Sequence, residues 1–205
     1  MGRTRSFPPG RIRSTVTSSV GSPPTVSPSN RRPRTTSPTP RRRTWRLTSS
    51  VVVELIRAAR TSLLVVSFAA YGVPEVVAEL LAAADRGVRV DLVLESSSVD
   101  GGTLRGSAGA SAAFTRLRDR AVFWHWPASR RSAAGGSTAA MHAKIIAADR
   151  RAALITSANL TDRALSSNLE VGVVLRDPEP VHRLVAHFSA LMDTRSGPLE
   201  RLRRS

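Results

Sequence analysis

Residues 141–159 read MHAKIIAADRRAALITSAN, and this stretch decides the fold. Two apolar runs, MHAKIIAA and AALITSA, are joined by the short polar segment DRR, a pattern that predicts a β-hairpin. In a strand that begins at Met141, His142 and Lys144 point to the same face and lie about 6.6 Å apart. Lys144 is the only lysine among the 31 lysine and arginine residues of the chain. The sequence therefore places one imidazole beside one ammonium in a chain that otherwise carries its positive charge on arginine.

This histidine–lysine pair is suited to phosphoryl chemistry. A histidine attacks phosphorus or protonates a leaving oxygen, while a lysine ammonium neutralises the phosphoryl oxygens as charge develops. The predicted hairpin brings the end of its second strand, with Ser157 and Asn159, back beside His142. Asn159 adds an amide donor for a phosphoryl oxygen. We therefore expect a site for a phosphodiester at this end of the hairpin.

Two carboxylates belong to the same candidate set. Asp149 ends the first strand of the hairpin, and Glu170 lies on the next strand-like run, LEVGVVL. We expect Glu170 to accept a hydrogen bond from Nδ1 of His142, which sets the tautomer of the imidazole and leaves Nε2 free to attack. The predicted catalytic residues are His142, Lys144, Asp149, Ser157, Asn159 and Glu170.

The segment before the hairpin holds further candidates for substrate contact. Arg130 and Arg131 lie in a loop, where we expect them to bind substrate phosphates at the entrance of the site, with a solvated loop as the equal alternative. Trp124 and Trp126 flank His125. Stacking of these aromatic rings on nucleic-acid bases is one interpretation, and packing at the end of a strand is the favoured one.

The charge of the chain is strongly basic and unevenly spread. The formal net charge is +16, and an anionic partner is therefore expected: nucleic acid, a phosphorylated substrate or an acidic membrane surface. Residues 1–48 hold eleven arginines and no acidic residue, which leaves 20 basic and 15 acidic residues for the rest. The absence of cysteine excludes disulfides and thiolate metal sites and fits a cytoplasmic protein. No apolar run is long enough for a membrane span, so no membrane insertion is expected.

Composition divides the chain into three parts. Residues 1–48 are rich in Arg, Ser, Thr and Pro without hydrophobic periodicity, which predicts a disordered basic tail. This tail has three open meanings: an extension without a role in the domain, which is the favoured one, a basic arm that binds nucleic acid, or a transit peptide. Residues 49–195 form the predicted domain, and residues 196–205 a basic C-terminal tail.

Hydrophobic periodicity within the domain predicts an α/β fold. Helices and strands alternate in the first half and a cluster of strands follows, so we expect a mixed central sheet covered by helices on both faces. Pro74 is expected to open a helix, and Gly87 to end it at the C′ position. The predicted helices span 51–60, 74–87, 111–120 and 178–192, and the predicted strands span 62–70, 88–95, 121–126, 141–148, 152–158 and 169–175.

The pattern HxKxxxxDxxxxxxTSxN over residues 142–159 resembles the HKD motif, HxKxxxxDxxxxxxGSxN, of the phospholipase D superfamily. Thr156 stands where that superfamily usually has glycine. The resemblance is closer still to DrmC, the phospholipase D-like component of DISARM anti-phage systems, and runs from about Val51 to Leu191 through FWHWP, HAK, TSANLT and NLEVGVVL. It implies an α/β/α sandwich and a metal-independent phosphodiesterase that forms a phosphohistidine and needs no cofactor.

The resemblance also implies a shared site. Enzymes of the superfamily combine two HKD motifs, one histidine attacking and the other protonating the leaving group, whereas this chain has one motif. His125 is not followed by a lysine two positions later, and neither are His182 and His187. A symmetric homodimer would supply the second His142.

Three functions follow as expectations. The first is a dimeric nuclease, acting on DNA in the cytoplasm as part of bacterial defence, with other defence-system subunits as further partners. The second is a phospholipid hydrolase or transphosphatidylase with the same chemistry. The third is a catalytically silent subunit that binds nucleic acid within a defence complex.

Overall fold

The computed structural model describes residues 48–98, 102–105, 109–131 and 139–202. The predicted basic tail, apart from Thr48, lies outside these residues, as do parts of both Gly/Ser-rich loops. Within the described residues the α/β fold class predicted from the sequence is confirmed.

The first half of the domain alternates helices and strands, as predicted. Pro74 lies in the first turn of the second helix, and Gly87 follows that helix with a φ of +84°, which confirms both predicted boundary signals. The elements are α1 (Thr48–Ala58), β1 (Ser62–Ser67), β2 (Ala70–Tyr71), α2 (Pro74–Asp85), β3 (Arg89–Leu94), a 3₁₀ helix (Ala110–Leu117) and β4 (Val122–His125).

The second half contains the predicted hairpin. Its strands pair antiparallel, with Ile145 opposite Ile155 and Ala148 opposite Ala152. The elements are β5 (Ile145–Ala148), β6 (Ala152–Thr156), β7 (Leu160–Thr161), α3 (Asp162–Ser166), β8 (Gly172–Leu175), α4 (Pro178–Leu191) and β9 (Glu200–Arg201), with a short 3₁₀ turn at Ala128–Arg130 before β5.

Seven strands form one mixed sheet in the order β8-β6-β5-β1-β3-β4-β9. The strands β1, β3 and β4 are mutually parallel, and β5 runs antiparallel to β1. Buried side chains of α1, α2 and the 3₁₀ helix cover one face of the sheet, including Ile56, Leu80 and Phe114. Side chains of α4 cover the other face, including Val181 and Phe188. The domain is therefore an α/β/α sandwich, as the resemblance implied.

Several boundaries differ from the sequence-based predictions. The strand predicted over 62–70 ends at Ser67, the strand predicted over 169–175 begins at Gly172 and so leaves Glu170 before it, and the helix predicted over 111–120 is the 3₁₀ helix Ala110–Leu117. The strand expected over residues 141–148 is regular only over Ile145–Ala148, so His142 and Lys144 lie in the extended segment that leads into it. Within the segment predicted as a basic C-terminal tail, residues 196–205, β9 pairs with β4 and Leu199 is 4% exposed. The strand β9 has only two residues, so it shows no hydrophobic periodicity from which a strand could be predicted.

Candidate active site

The segment with His142 lies at one end of the central strands of the sheet, which we call the carboxyl edge because the parallel strands finish there. The parallel strands β1 and β3 end there, and β5, antiparallel to β1, begins there. His142 is exposed, whereas Lys144 is buried at 8% exposure. The fold thus brings an accessible imidazole and a largely desolvated ammonium together at the carboxyl edge of the parallel strands.

His142 and Lys144 contact each other directly. Nζ of Lys144 lies 3.1 Å from Nδ1 of His142 and donates to the backbone oxygen of the same residue at 2.8 Å. An ammonium that donates to Nδ1 leaves the imidazole proton on Nε2. Conversely, a proton on Nδ1 leaves the Nε2 lone pair free. The contact therefore links the lysine to the tautomer of the histidine.

The ring of Phe68 contacts both of these side chains. Phe68 follows β1 and is half-buried, with its ring centroid 5.0 Å from that of His142 and 5.8 Å from Nζ of Lys144. Burial lowers the pKa of Lys144, and the nearby carboxylate of Glu170 partly offsets that effect. An ammonium that has lost its hydration interacts more strongly with an anion that enters the site.

Ser157, directly after β6, and Glu170, just before β8, contact each other. The Ser157 hydroxyl donates to Oε2 of Glu170, and the backbone N–H of Val171 donates to the same hydroxyl at 3.1 Å. Asn168 Nδ2 donates to Oε1 of Glu170 at 3.2 Å. The hydrogen bonds of Glu170 therefore go to Ser157 and Asn168, and the expected bond to Nδ1 of His142 is not among them in the described part of the chain.

Asn159 also lies at this edge, directly before β7. Its Oδ1 atom is buried and accepts no hydrogen bond from the described residues. A buried acceptor without a donor costs free energy, and a bound ligand with a donor group would remove that cost.

Asp149 lies at the other end of β5. Its carboxylate accepts hydrogen bonds from the backbone N–H groups of Arg60, Thr61 and Ser62 and from the Thr61 hydroxyl, at 2.8–3.1 Å. Burial raises the pKa of Asp149, but these hydrogen bonds together lower it below its usual value. The structure thus uses Asp149 to join the hairpin turn to the start of β1, away from His142.

The comparisons with known proteins identify the family of this domain. The family model described as "Cardiolipin synthase, PLD-like domain" matches residues 52–192. The chain belongs to the phospholipase D-like domain family. A comparison with curated proteins gives no match.

Solved structures show how the phospholipase D-like fold is shared. Nuc, a phospholipase D family member from Salmonella typhimurium, is 24% identical with a TM-score of 0.53, over 76% of this chain and 90% of that one. NucT from Helicobacter pylori is 15% identical with a TM-score of 0.53, over 68% of this chain and 84% of that one. Phosphatidylserine synthase from Haemophilus influenzae Rd KW20 is 18% identical with a TM-score of 0.52, and 74% of this chain covers 36% of it. At these identities the likeness concerns the fold.

Two arginines predicted to bind substrate have protein partners in this phospholipase D-like domain. Arg130 pairs with Glu200 on β9 at 2.9 Å and donates to the Gly197 carbonyl at 2.6 Å. The side chain of Arg131 is 1% exposed and pairs with Glu95 at 2.6 Å. The fold therefore uses both guanidinium groups for contacts within the domain.

Phe68 is the site residue that the sequence-based prediction missed. It lies in the apolar run after β1, and only the pairing of β1 with β5 brings it against His142. A usable signal was present, because the carboxyl ends of parallel strands carry the functional residues of many α/β folds.

Among the described residues, no group of three or more His, Asp and Glu side chains is arranged to hold a metal ion. In the same residues, no helix has the length and apolar content that a membrane span requires.

Proposed function

We propose that this domain is a metal-independent phosphodiesterase that forms a phosphohistidine at His142, with nucleic acid as its substrate. The observation that carries the proposal is the direct contact between the exposed imidazole of His142 and the buried ammonium of Lys144. Membership of the phospholipase D-like family supports the same reaction class.

In the first step of the proposed reaction, Nε2 of His142 attacks phosphorus. A P–N bond forms, the P–O bond to the leaving group breaks, and the leaving oxygen takes a proton from a second histidine. In the second step that histidine removes a proton from water, the water oxygen attacks phosphorus, and the P–N bond breaks. The ammonium of Lys144 and the side-chain N–H of Asn159 donate to the phosphoryl oxygens throughout.

The contact between Lys144 and His142 opens before either histidine role is performed in this proposal. A Lys144 ammonium that donates to Nδ1 leaves a neutral imidazole with its proton on Nε2. An attacking histidine needs a free Nε2 lone pair, and a proton-donating histidine needs protons on both ring nitrogens. When a phosphoryl oxygen draws Lys144 away, Nδ1 is free to carry the proton and Nε2 to attack. Glu170 is then the proposed acceptor for the Nδ1 proton, with Ser157 keeping its carboxylate in place.

The second histidine comes from a second copy of the chain in this proposal. Exposed apolar side chains lie next to the site: Leu169 and Val171, on either side of Glu170, are 72% and 56% exposed, and Ile155 is 41% exposed. We call these three side chains the apolar patch. Large exposed apolar groups that cluster together mark interaction surfaces. A twofold dimer through the apolar patch would bring the two His142 side chains toward one another.

The charge of the chain favours nucleic acid over lipid as the substrate. Residues 49–205 carry a net charge of +5 and residues 1–48 add +11, and this excess of positive charge attracts a polyanion such as nucleic acid. A phospholipid substrate is the second candidate, because the matching family model carries the description of a cardiolipin synthase. Within the nucleic-acid proposal, DNA cleavage in a DISARM-like anti-phage system of the cytoplasm, with other defence subunits as partners, follows from the resemblance to DrmC.

One experiment separates these functions. The purified protein and the variant His142→Ala are incubated in EDTA with DNA, RNA, phospholipid vesicles and a small phosphodiester. We expect EDTA-resistant cleavage of nucleic acid that is lost in the variant. Turnover of phospholipid alone would support the second candidate, and binding of nucleic acid without any turnover would support a catalytically silent subunit.

A further inference from the structure

A buried ion pair lies at the same edge of the sheet as His142. Glu95 directly follows β3, and its side chain is 0% exposed, while that of Arg131 is 1% exposed. Their closest atoms, Oε1 of Glu95 and Nη2 of Arg131, are 2.6 Å apart. Burying two charges costs free energy that only close pairing and further hydrogen bonds offset, so the additional partners of this pair indicate what it holds in place.

Those partners join β4 to the segment that carries His142. Oε2 of Glu95 accepts from the backbone N–H of Met141, the residue before His142, at 2.9 Å. Arg131 donates through Nε to the Trp126 carbonyl and through Nη1 to the Ala139 carbonyl, each at 2.9 Å. The ion pair thus fixes the position of Trp126 relative to His142.

The indole ring of Trp126 is held in one orientation. Nε1 donates to the Arg130 carbonyl at 3.1 Å, and the guanidinium of Arg131 lies over the ring, 5.4 Å from its centroid. Trp126 packs against the buried cluster on the α4 side of the sheet but is nevertheless only half-buried. Trp124, by contrast, is 2% exposed and donates to buried Asp91, as a core residue does.

Trp126 and His142 lie along one edge of the sheet. Trp126 directly follows β4, and β5, which His142 precedes, is three strands away in the order β5-β1-β3-β4. Adjacent strands are spaced by about 4.8 Å, so the end of β4 and the start of β5 lie about 14 Å apart. A single nucleic-acid strand that crosses this edge with its scissile phosphate at His142 would pass Trp126.

We propose that Trp126 is a base-stacking subsite for single-stranded nucleic acid, placed relative to His142 by the Glu95–Arg131 pair. This inference rests on the proposed function and assigns its substrate class. A partly exposed aromatic ring that is already fixed by the protein loses little conformational freedom when a base stacks on it. A flexible acyl chain would gain no comparable advantage from one rigid ring.

The test compares binding of a single-stranded oligonucleotide in EDTA by the wild-type protein and by Trp126→Leu. We expect the variant to bind about tenfold more weakly, since base stacking on an aromatic ring typically contributes this much or more. Tyr71→Leu is the matched control, because Tyr71 is an aromatic residue that is 58% exposed and lies on β2, in the separate two-stranded sheet β2-β7. The control should keep wild-type affinity.

A second measurement uses the wild-type protein and does not depend on how the variant folds. Single abasic sites are moved along the oligonucleotide, and removal of one base near the scissile phosphate should weaken binding about tenfold. Equal binding at every abasic position, or equal affinities of Trp126→Leu and the wild-type protein, would overturn the inference. Base-dependent binding without any cleavage would support the stacking subsite and refute the proposed nuclease. Cleavage without base-dependent binding would support the nuclease and refute the stacking subsite.

Discussion

At the scale of single residues, the site depends on a lysine that the fold keeps largely out of water. Nζ of Lys144 reaches Nδ1 of His142 and lies near the ring of Phe68. A compact ammonium fits this position, whereas a planar guanidinium is wider and presents its donors in a rigid fork. This difference explains why one lysine persists in a chain with arginine at every other basic position.

Replacement of Lys144 should separate activity from stability. Burial lowers the pKa of Lys144, so folding disfavours its charged form, and this cost is present at neutral pH and disappears as the pH rises through the usual lysine range. We therefore expect Lys144→Met to be at least as stable as wild type at pH 7 in urea denaturation. Its turnover should fall about 100-fold or more. Lys144→Arg, which keeps the charge, should remain nearly inactive; wild-type turnover in Lys144→Arg would contradict the steric argument.

Replacement of Asp149 should lower stability and leave turnover unchanged, which is the opposite of the effect expected for Lys144. Hydrogen bonds lower its pKa, so its stabilising effect is present above the usual aspartate pKa and is lost as the pH falls through the lowered value. Asp149 has a φ of +52°, which asparagine tolerates, so Asp149→Asn changes the charge without straining the backbone. We expect a loss of about 2 kcal/mol at pH 7, shrinking toward pH 3, with turnover per folded molecule close to wild type. A large loss of turnover at full stability would make Asp149 catalytic.

At the scale of secondary-structure elements, the ends of the strands determine the site. The segment before β5 and the residue after β1 bring His142 and Phe68 together, and the ends of β3 and β4 hold Glu95 and Trp126. Elements far apart in the chain therefore contribute to one site. Buried polar contacts between the ends of these elements fix their positions relative to one another.

The Glu95–Arg131 pair should be essential to the stability of this part of the fold. Arg131→Met leaves the Glu95 carboxylate buried without its cation, and we expect a loss of about 3–5 kcal/mol in the free energy of unfolding, measured in urea. The double variant Glu95→Gln with Arg131→Met removes the unpaired charge and should recover part of that loss. Arg120→Met is the control, because the Arg120–Asp85 pair is exposed on both sides and should matter little. A loss no larger than that of the control would show that the buried pair is dispensable.

At the scale of the whole molecule, one chain has one pair of His142 and Lys144 and an apolar patch beside it. Leu169 and Val171 lie next to Glu170 and before β8, which is an edge strand of the sheet. Exposure of such side chains in a monomer is unfavourable, and their burial between two copies would both stabilise a dimer and close the site.

A charge placed on the apolar patch should break the proposed dimer. We expect Leu169→Lys with Val171→Lys to be monomeric by light scattering and to lose phosphodiesterase activity, because two desolvated ammonium groups per copy oppose association. Tyr71→Lys, an equally exposed change outside the patch, should remain dimeric and active. In addition, excess His142→Ala mixed with wild-type protein should inhibit it beyond simple dilution. A monomeric wild-type protein with full activity would rule out the shared site.

The sequence alone was sufficient for the fold class and for the hairpin that carries the candidate site, whereas the chemistry of that site stays a prediction. Strands and helices carry distinct hydrophobic periods, and the pattern over 142–159 has a fixed spacing, so the hairpin and its polar residues were predictable. Local pattern likewise predicted the boundaries at Pro74 and Gly87. These features depend on neighbours in the chain, which the sequence displays directly.

Only the tertiary structure decided which polar groups meet. Arg131 and Glu95 are 36 residues apart, and nothing in either segment indicates that they form a buried pair. The partners of Asp149 lie 87 to 89 residues away in the chain, and Phe68 reaches His142 only through strand pairing. The strand β9 is too short for a hydrophobic period and is stabilised by pairing with β4. Hydrogen bonds and ion pairs act over a few ångströms in space, so the topology of the folded chain decides which groups form them. Hydrophobic periodicity, in contrast, depends only on the local order of residues in the sequence.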